Sequence, residues 1–240
     1  GPLKLYDAMR RFGFGGKTGI ELPGEQYGIL PNPRKRMWDK ASQSRAAIGQ
    51  FVAVTPIQLI SAYQSIANDG IRMKPYIVDH LAEPDGTVVF RHSPEPMGRT
   101  VSAKTAQTMR EVMLGVASPK GTARRAAIRG YSVAGKTGTA QKALRGRYQD
   151  GLYRATFCGI VPAGDPRLVI LTTLDFDKRT KYHQGGNSAG PVFKRVAMAA
   201  LRYLMIQPDR PDELVEFSDD DEYDRIMEER AKKYGIISTD

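Results

Sequence analysis

The sequence predicts an α+β fold: an antiparallel β-sheet with helices packed on it. Three runs carry the sheet, Tyr131–Lys142, Tyr153–Pro162 and Leu168–Asp175, separated only by a polar stretch from Ala143 to Gly151 and by the turn Ala163-Gly164-Asp165-Pro166. A parallel pair needs a crossover of about a dozen residues or more, so links this short make the three runs an antiparallel meander. The second observation is a set of segments with helical apolar spacing, bounded by capping and stop signals, lying before and after the meander.

Taken in order, Leu3 to Phe12 carries Leu5, Met9 and Phe12 at helical spacing, and Gly13, Gly15 and Gly16 end it. From Gly19 to Trp38 the chain is rich in Gly, Pro and charge, as an irregular connection is. Thr55 is suited to an N-cap and Pro56 to the first helical position; Ile57, Leu59, Ile60, Tyr63, Ile66 and Ala67 then line an apolar face until Asn68-Asp69-Gly70. Ile71 to Phe90 reads as extended pieces around a hairpin turn at Glu83-Pro84-Asp85-Gly86. Ser102 caps a helix whose expected buried face is Ala106, Met109, Val112, Met113 and Val116, and Thr122 to Arg129 looks helical as well. A last helix is expected from about Pro191 through Met205, and a polar one at Ile226–Tyr234.

The bulk numbers exclude several classes. At 240 residues with 41 % apolar and 26 % charged residues, the chain is long enough for a core and ordinary in composition. No run approaches the roughly 18 apolar residues of a spanning helix. The single cysteine, Cys158, lies in an apolar run and reads as a buried thiol; His80, His92 and His183 lack metal-ligand spacing, so neither a metal nor a cofactor is expected. The net charge of +10 is uneven: from Asp209 onward 12 acidic residues face 5 basic ones, which leaves +17 on the first 208. Residues 1–208 are therefore expected to form the folded body and 209–240 an acidic tail. The basic residues come in scattered groups such as Arg10-Arg11 and Arg34-Lys35-Arg36 without interleaved aromatics, so no nucleic-acid partner is expected.

Two motifs overlap at the first strand. Gly130-Tyr131-Ser132-Val133-Ala134-Gly135-Lys136-Thr137 fits the phosphate-loop pattern G-x-x-x-x-G-K-[ST]. Such a loop follows a buried strand and opens into a helix, whereas here the alternation is that of a strand and the residues after Thr137 show no helical period. Nucleotide binding is thus the rival expectation, and a non-catalytic module using a sheet edge or the tail for protein partners is another. Read as a strand, Gly135-Lys136-Thr137-Gly138-Thr139-Ala140-Gln141 puts Lys136 and Gly138 on one face and Thr137 and Thr139 on the other. Gly138 lets another backbone approach; Lys136 supplies charge, the hydroxyls of Thr137 and Thr139 donate to an anion, and the Thr139 N–H is a candidate oxyanion donor. A second tripeptide, Lys17-Thr18-Gly19, sits in loop-like sequence and is taken as structural.

The strand copy has company. Arg11-Phe12-Gly13-Phe14-Gly15, Thr18-Gly19-Ile20-Glu21-Leu22-Pro23-Gly24-Glu25, Val54-Thr55-Pro56-Ile57-Gln58-Leu59, Ala67-Asn68-Asp69-Gly70, Gly121-Thr122-Ala123, Lys136-Thr137-Gly138-Thr139-Ala140-Gln141 and Gly185-Gly186 to Phe193 stand in this order. Over roughly Gly1 to Pro208 the chain resembles class B penicillin-binding proteins, nearest the septal, division type. The resemblance implies part of the penicillin-binding transpeptidase and serine β-lactamase-like fold. It also implies D,D-transpeptidase chemistry on peptidoglycan stem peptides through an acyl-serine, with β-lactams binding the same site. It implies catalytic roles for Lys136 and Thr139, substrate contacts from Lys136, Thr137, Gly138 and Thr139, and site walls from Tyr153 and Tyr182. No S-x-x-K and no S-x-N occurs in the 240 residues. The chain is therefore expected to be the C-terminal part of the domain, inactive by itself, with an apolar sheet edge left open. The parent is expected on the outer face of the cytoplasmic membrane, anchored upstream and working with membrane proteins of the divisome.

Overall fold

The computed structural model describes residues 1–35, 38–144, 147–176 and 183–214. The helices are α1 (Pro2–Arg11), α2 (Ser42–Ala47), α3 (Pro56–Ala67), α4 (Ala103–Leu114) and α5 (Gly185–Tyr203). The strands are β1 (Ile71–Met73), β2 (His80–Ala82), β3 (Val88–Arg91), β4 (Pro96–Arg99), β5 (Ala134–Leu144), β6 (Arg147–Val161) and β7 (Leu168–Phe176). Strands β5, β6 and β7 form an antiparallel sheet in that order, so β5 and β7 are its edges among the described residues. Two small antiparallel pairs, β1 with β4 and β2 with β3, stand apart from it. No described helix is long and apolar enough to cross a membrane.

Strand alternation sends neighbouring residues to two cores. Val133, Phe157 and Val161 pack against Phe193, Ala197 and Leu201 of α5, with the Phe157 and Phe193 rings edge to face at 4.8 Å. Ala134 and Ile160 point the other way, onto Ile66 of α3 and Met113 of α4. Burying a side chain the size of Phe157 or Ile160 contributes about 2–3 kcal/mol, so both helical layers hold the sheet.

The expected meander is present, and its hairpin is longer than the polar composition of 143–151 implied. Ala143 pairs with Tyr148 and Leu144 with Arg147, because backbone pairing continues along a ribbon whatever its side chains. Helix α3 is capped as expected: Thr55 Oγ1 accepts from Gln58 N at 3.2 Å and Gln58 Oε1 accepts from Thr55 N at 3.0 Å. Of the expected apolar face Ile66 is buried and Tyr63 and Ala67 pack against the same core, but the other buried residues of the helix are Gln58, Ser61, Ala62 and Ser65. Gln58 tolerates complete burial because Nε2 donates to Gly16 O at 2.7 Å and Tyr27 O at 2.9 Å, fastening the first loop to the helix. In α4 only Ala106 and Met113 are buried, seven residues apart on one narrow stripe, while Met109 and Val112 are exposed. The segment 122–129 holds a single 3-10 turn, Arg124–Ala126, in place of the expected helix.

Helix α5 starts six residues before Pro191, the expected first residue. Proline cannot donate to the carbonyl four residues back, and here Arg125 Nη1 donates to Asn187 O at 2.9 Å in its stead. The expected helix at 226–234 lies outside the described residues.

Candidate functional site

The phosphate-loop pattern is not a phosphate loop: Ala134 to Thr137 are strand, and the chain after Thr137 continues as strand to Leu144 where a nucleotide site would need a helix. Along β5 the register is Lys136 to Cys158, Thr137 to Phe157, Gly138 to Thr156 and Thr139 to Ala155, all toward β6. The opposite edge of β5 has no strand beside it among the described residues.

The two faces of β5 differ chemically. On the face shared with α3 and α4, cover ends near Cys158; Lys136 is exposed beyond it and its Nζ donates to Thr137 O at 2.9 Å. Next along is exposed Gly138, where an added Cβ would meet only Thr156 Cβ at 3.7 Å, an ordinary contact. Nothing inside the described chain therefore requires glycine there. Farther on, Arg154 holds Asp175 through Nε–Oδ1 at 2.7 Å and Nη2–Oδ2 at 3.0 Å, with Lys142 Nζ at 3.6 Å. The Arg154 guanidinium keeps the Asp175 carboxyl below the usual range. Cys158 faces the same side in register with Lys136, but it is buried and desolvation raises its thiol, so it is no nucleophile.

On the other face the threonines meet the start of α5. Gly185 N donates to Thr139 Oγ1 at 3.1 Å, and Thr137 Oγ1 lies 3.2 Å from Thr122 Oγ1. This approach needs glycines: a Cβ at Gly185 would lie 2.6 Å from Gly138 O, and one at Gly186 1.8 Å from Thr122 O. The positive end of a 19-residue helix is thereby brought against Thr139, in a setting that favours an anion.

Tyr153 pairs with Gln141 and with Phe176, on the α5 side, and its ring sits 4.3 Å from that of His183 at 32°. Tyr182 lies outside the described residues. The structure thus gathers Lys136, Thr137, Gly138 and Thr139 on 4 consecutive positions of one open strand, with Tyr153 two pairs farther along. Sequence reasoning gave no site role to His183, Thr122 or Gly185, although Thr122 and Gly185 lie in the motifs Gly121-Thr122-Ala123 and Gly185-Gly186 that carry the resemblance.

The loop tripeptide is built otherwise. Thr18 is buried, and its N and Oγ1 each donate to Glu25 Oε1 at 2.6 Å, while Gly19 N donates to Oε2 at 3.1 Å. Burial alone would raise the Glu25 carboxyl, but the hydrogen bonds from Thr18 and Gly19 outweigh it and hold it below its ordinary value.

Comparison with known proteins bears on this site. Residues 1–198 match the family model for the penicillin binding protein transpeptidase domain. Penicillin-binding protein PbpB of Mycolicibacterium smegmatis is 40 % identical over 210 residues, covering 84 % of this chain and 32 % of that protein. Stage V sporulation protein D of Bacillus subtilis is 37 % identical over 87 % of this chain and 32 % of its own length. A probable peptidoglycan D,D-transpeptidase PenA of Neisseria meningitidis is 33 % identical over 88 % and 34 %. Among solved structures, penicillin-binding protein 3 of Mycobacterium tuberculosis complexed with ampicillin superposes with a TM-score of 0.78 at 37 % identity, over 87 % of this chain and 47 % of that one. The apo transpeptidase domain of penicillin-binding protein 3 from Burkholderia pseudomallei gives 0.74 at 32 % identity, over 87 % and 59 %. The chain spans about a third of the length of these curated relatives.

Proposed function

We propose, for a chain that belongs to the class B penicillin-binding protein transpeptidase family, that it supplies the substrate-binding strand of a peptidoglycan D,D-transpeptidase of the division type. The single observation that carries this is the open edge of β5, with Lys136 exposed on one face and, on the other, the Thr139 hydroxyl against the α5 N-terminus and the Thr137 hydroxyl beside Thr122.

A stem peptide lies along this edge as an added strand, and Gly138 leaves room for its backbone. The terminal carboxylate is held by Thr137 and Thr139, helped by the α5 dipole. A serine outside these 240 residues attacks the penultimate D-alanine carbonyl; its Oγ–C bond forms, the C–N bond breaks, and D-alanine leaves as the amine. The Thr139 N–H stabilises the oxyanion, and Lys136 supports proton transfer from the serine. An amine of a neighbouring strand then takes the acyl group and frees the serine. Tyr153, with the His183 ring tilted against it, walls the far end of the site; Tyr182 is a further wall in this proposal. β-Lactams acylate the same serine. The whole protein works on the outer face of the cytoplasmic membrane with divisome membrane proteins, and the isolated 240 residues are inactive.

The test is labelling with a fluorescent penicillin. The full-length protein is expected to form a covalent adduct that ampicillin prevents, and the isolated chain to form none. An unlabelled full-length protein would overturn the transpeptidase assignment; a labelled isolated chain would overturn the placement of the nucleophile elsewhere.

A further inference from the structure

We propose that the segment after α5 is a clamp on the entry to β5, with Asp209 a positioning residue for the strand that carries Lys136 and Thr139. The part of this concerning catalysis rests on the function proposed above.

Four consecutive residues ahead of β5 are each tied to the segment 206–213. Arg129 Nε donates to Glu213 O at 2.5 Å, Arg210 N to Gly130 O at 3.0 Å, and Tyr131 OH to Ile206 O at 2.7 Å. Ser132, 4 % exposed, donates twice to one carboxylate: its N to Asp209 Oδ1 at 2.8 Å and its Oγ to Asp209 Oδ2. The same Ser132 Oγ accepts from Ala163 N at 2.8 Å, two residues beyond the end of β6. Asp209 therefore fastens the entry of β5 and the exit of β6 through one buried hydroxyl.

This matters because β5, among the described residues, has a strand on one side only, and in the proposed function its other edge stays open. Its lateral position is set by β6 and by what holds it at its entry and along its length. The middle of the strand is held where Gly185 N meets Thr139 Oγ1, and the near end where Asp209 meets Ser132. Both anchors come from α5 or its continuation. The spans are comparable: seven strand steps from Ser132 to Thr139 cover about 23 Å, against about 28 Å for the 19 residues of the helix. Helix α5 thus brackets the strand like a caliper. Lys136 lies between the jaws, joined to the near one through Val133 and Ala134, which are buried in opposite cores. Without the Asp209 carboxylate, a buried N–H and a buried O–H lose their acceptor, and the strand entry moves to find another.

The experiment measures acylation of the full-length protein by a fluorescent penicillin, together with amide hydrogen exchange over residues 133–140. Asp209→Ala is expected to lower the acylation rate constant at saturating penicillin about tenfold. The half-saturating concentration should change less than twofold, because the carboxylate contacts sit at the other jaw. Exchange over 133–140 should quicken. Asp209→Asn keeps an acceptor for Ser132 N and offers an N–H to Ser132 Oγ, so it should restore both readouts. If Asp209→Ala does not fold, Ser132→Ala, which removes only the hydroxyl link, is expected to show the same changes in smaller measure. Wild-type rate and exchange in these variants would overturn the clamp, as would a rate loss no larger than the unfolded fraction. If the wild-type protein is not acylated, the transpeptidase assignment fails and the exchange data alone decide the clamp.

Discussion

The chain contains the tripeptide Lys-Thr-Gly twice, and the two copies are opposites. At 17–19 it lies in a loop, where Thr18 and Gly19 donate three hydrogen bonds to Glu25 of the same chain and Lys17 Nζ lies 5.3 Å from the Tyr27 ring centroid. At 136–138 it lies on a sheet edge, where Lys136 is exposed and Gly138 is open to solvent. One copy holds an internal carboxylate; the other has its donors arranged at a free edge. The loop copy shows what the three letters can do, the binding of a carboxylate by threonine and backbone donors; in the function proposed above the strand copy does the same for a carboxylate that arrives from outside.

The largest expected effect separates the two lysines. In the full-length protein, Lys136→Ala should lower the rate of penicillin acylation by about a hundredfold or more and leave the melting temperature within 1 °C or so, since surface substitutions change stability by only about half a kcal/mol. Lys17→Ala should leave acylation untouched. Stopped-flow acylation with parallel thermal melts reads both, and equal acylation in the two variants would erase the distinction between the copies.

The two glycines should part next, and in opposite directions. Gly19 has φ +80°, a left-handed conformation that an alanine resists, so Gly19→Ala should lower stability by about 1 kcal/mol with normal acylation per folded molecule. At Gly138 an added methyl meets only Thr156 at 3.7 Å. Gly138→Ala should therefore fold with unchanged or slightly higher stability and acylate about tenfold more slowly, because in the proposed function the methyl stands where the substrate backbone approaches. Urea denaturation with acylation kinetics distinguishes the pair.

How much of this was legible depended on how local each cause is. The three strands, the Thr55 cap and the identity of β5 as a strand were readable because alternation, capping and turn residues act within a few positions. Gln58 was not: it looks like an exposed polar residue of α3 until its partners 42 and 31 residues away, Gly16 and Tyr27, come into place. The link from Ser132 to Asp209 spans 77 residues, and Asp209 by composition belonged to the tail. The start of α5 was misjudged because Pro191 usually marks a first turn, and the guanidinium that relieves it comes from Arg125, 62 residues before the carbonyl it serves. At the site, Lys136 to Thr139 could be read from their letters, whereas the partners Thr122, Gly185 and His183 required the packing of α5 onto the sheet.

The smallest effect concerns the loop copy alone and has a defined pH dependence. The Glu25 carboxyl is held below its ordinary value of 4.5 in the folded protein, so the unfolded chain binds its proton first as pH falls. The stabilisation it provides is present in full above that value and is lost as the pH drops through the folded value. Glu25→Gln keeps one oxygen for Thr18 but loses the second acceptor and the charge, and should cost about 1 kcal/mol near neutral pH. The gap between wild type and variant, followed by urea denaturation, should narrow steadily at pH values below about 4. A gap constant with pH would mean that the loop tripeptide recognises the shape of this side chain and not its charge, which would make its resemblance to the strand copy one of letters only.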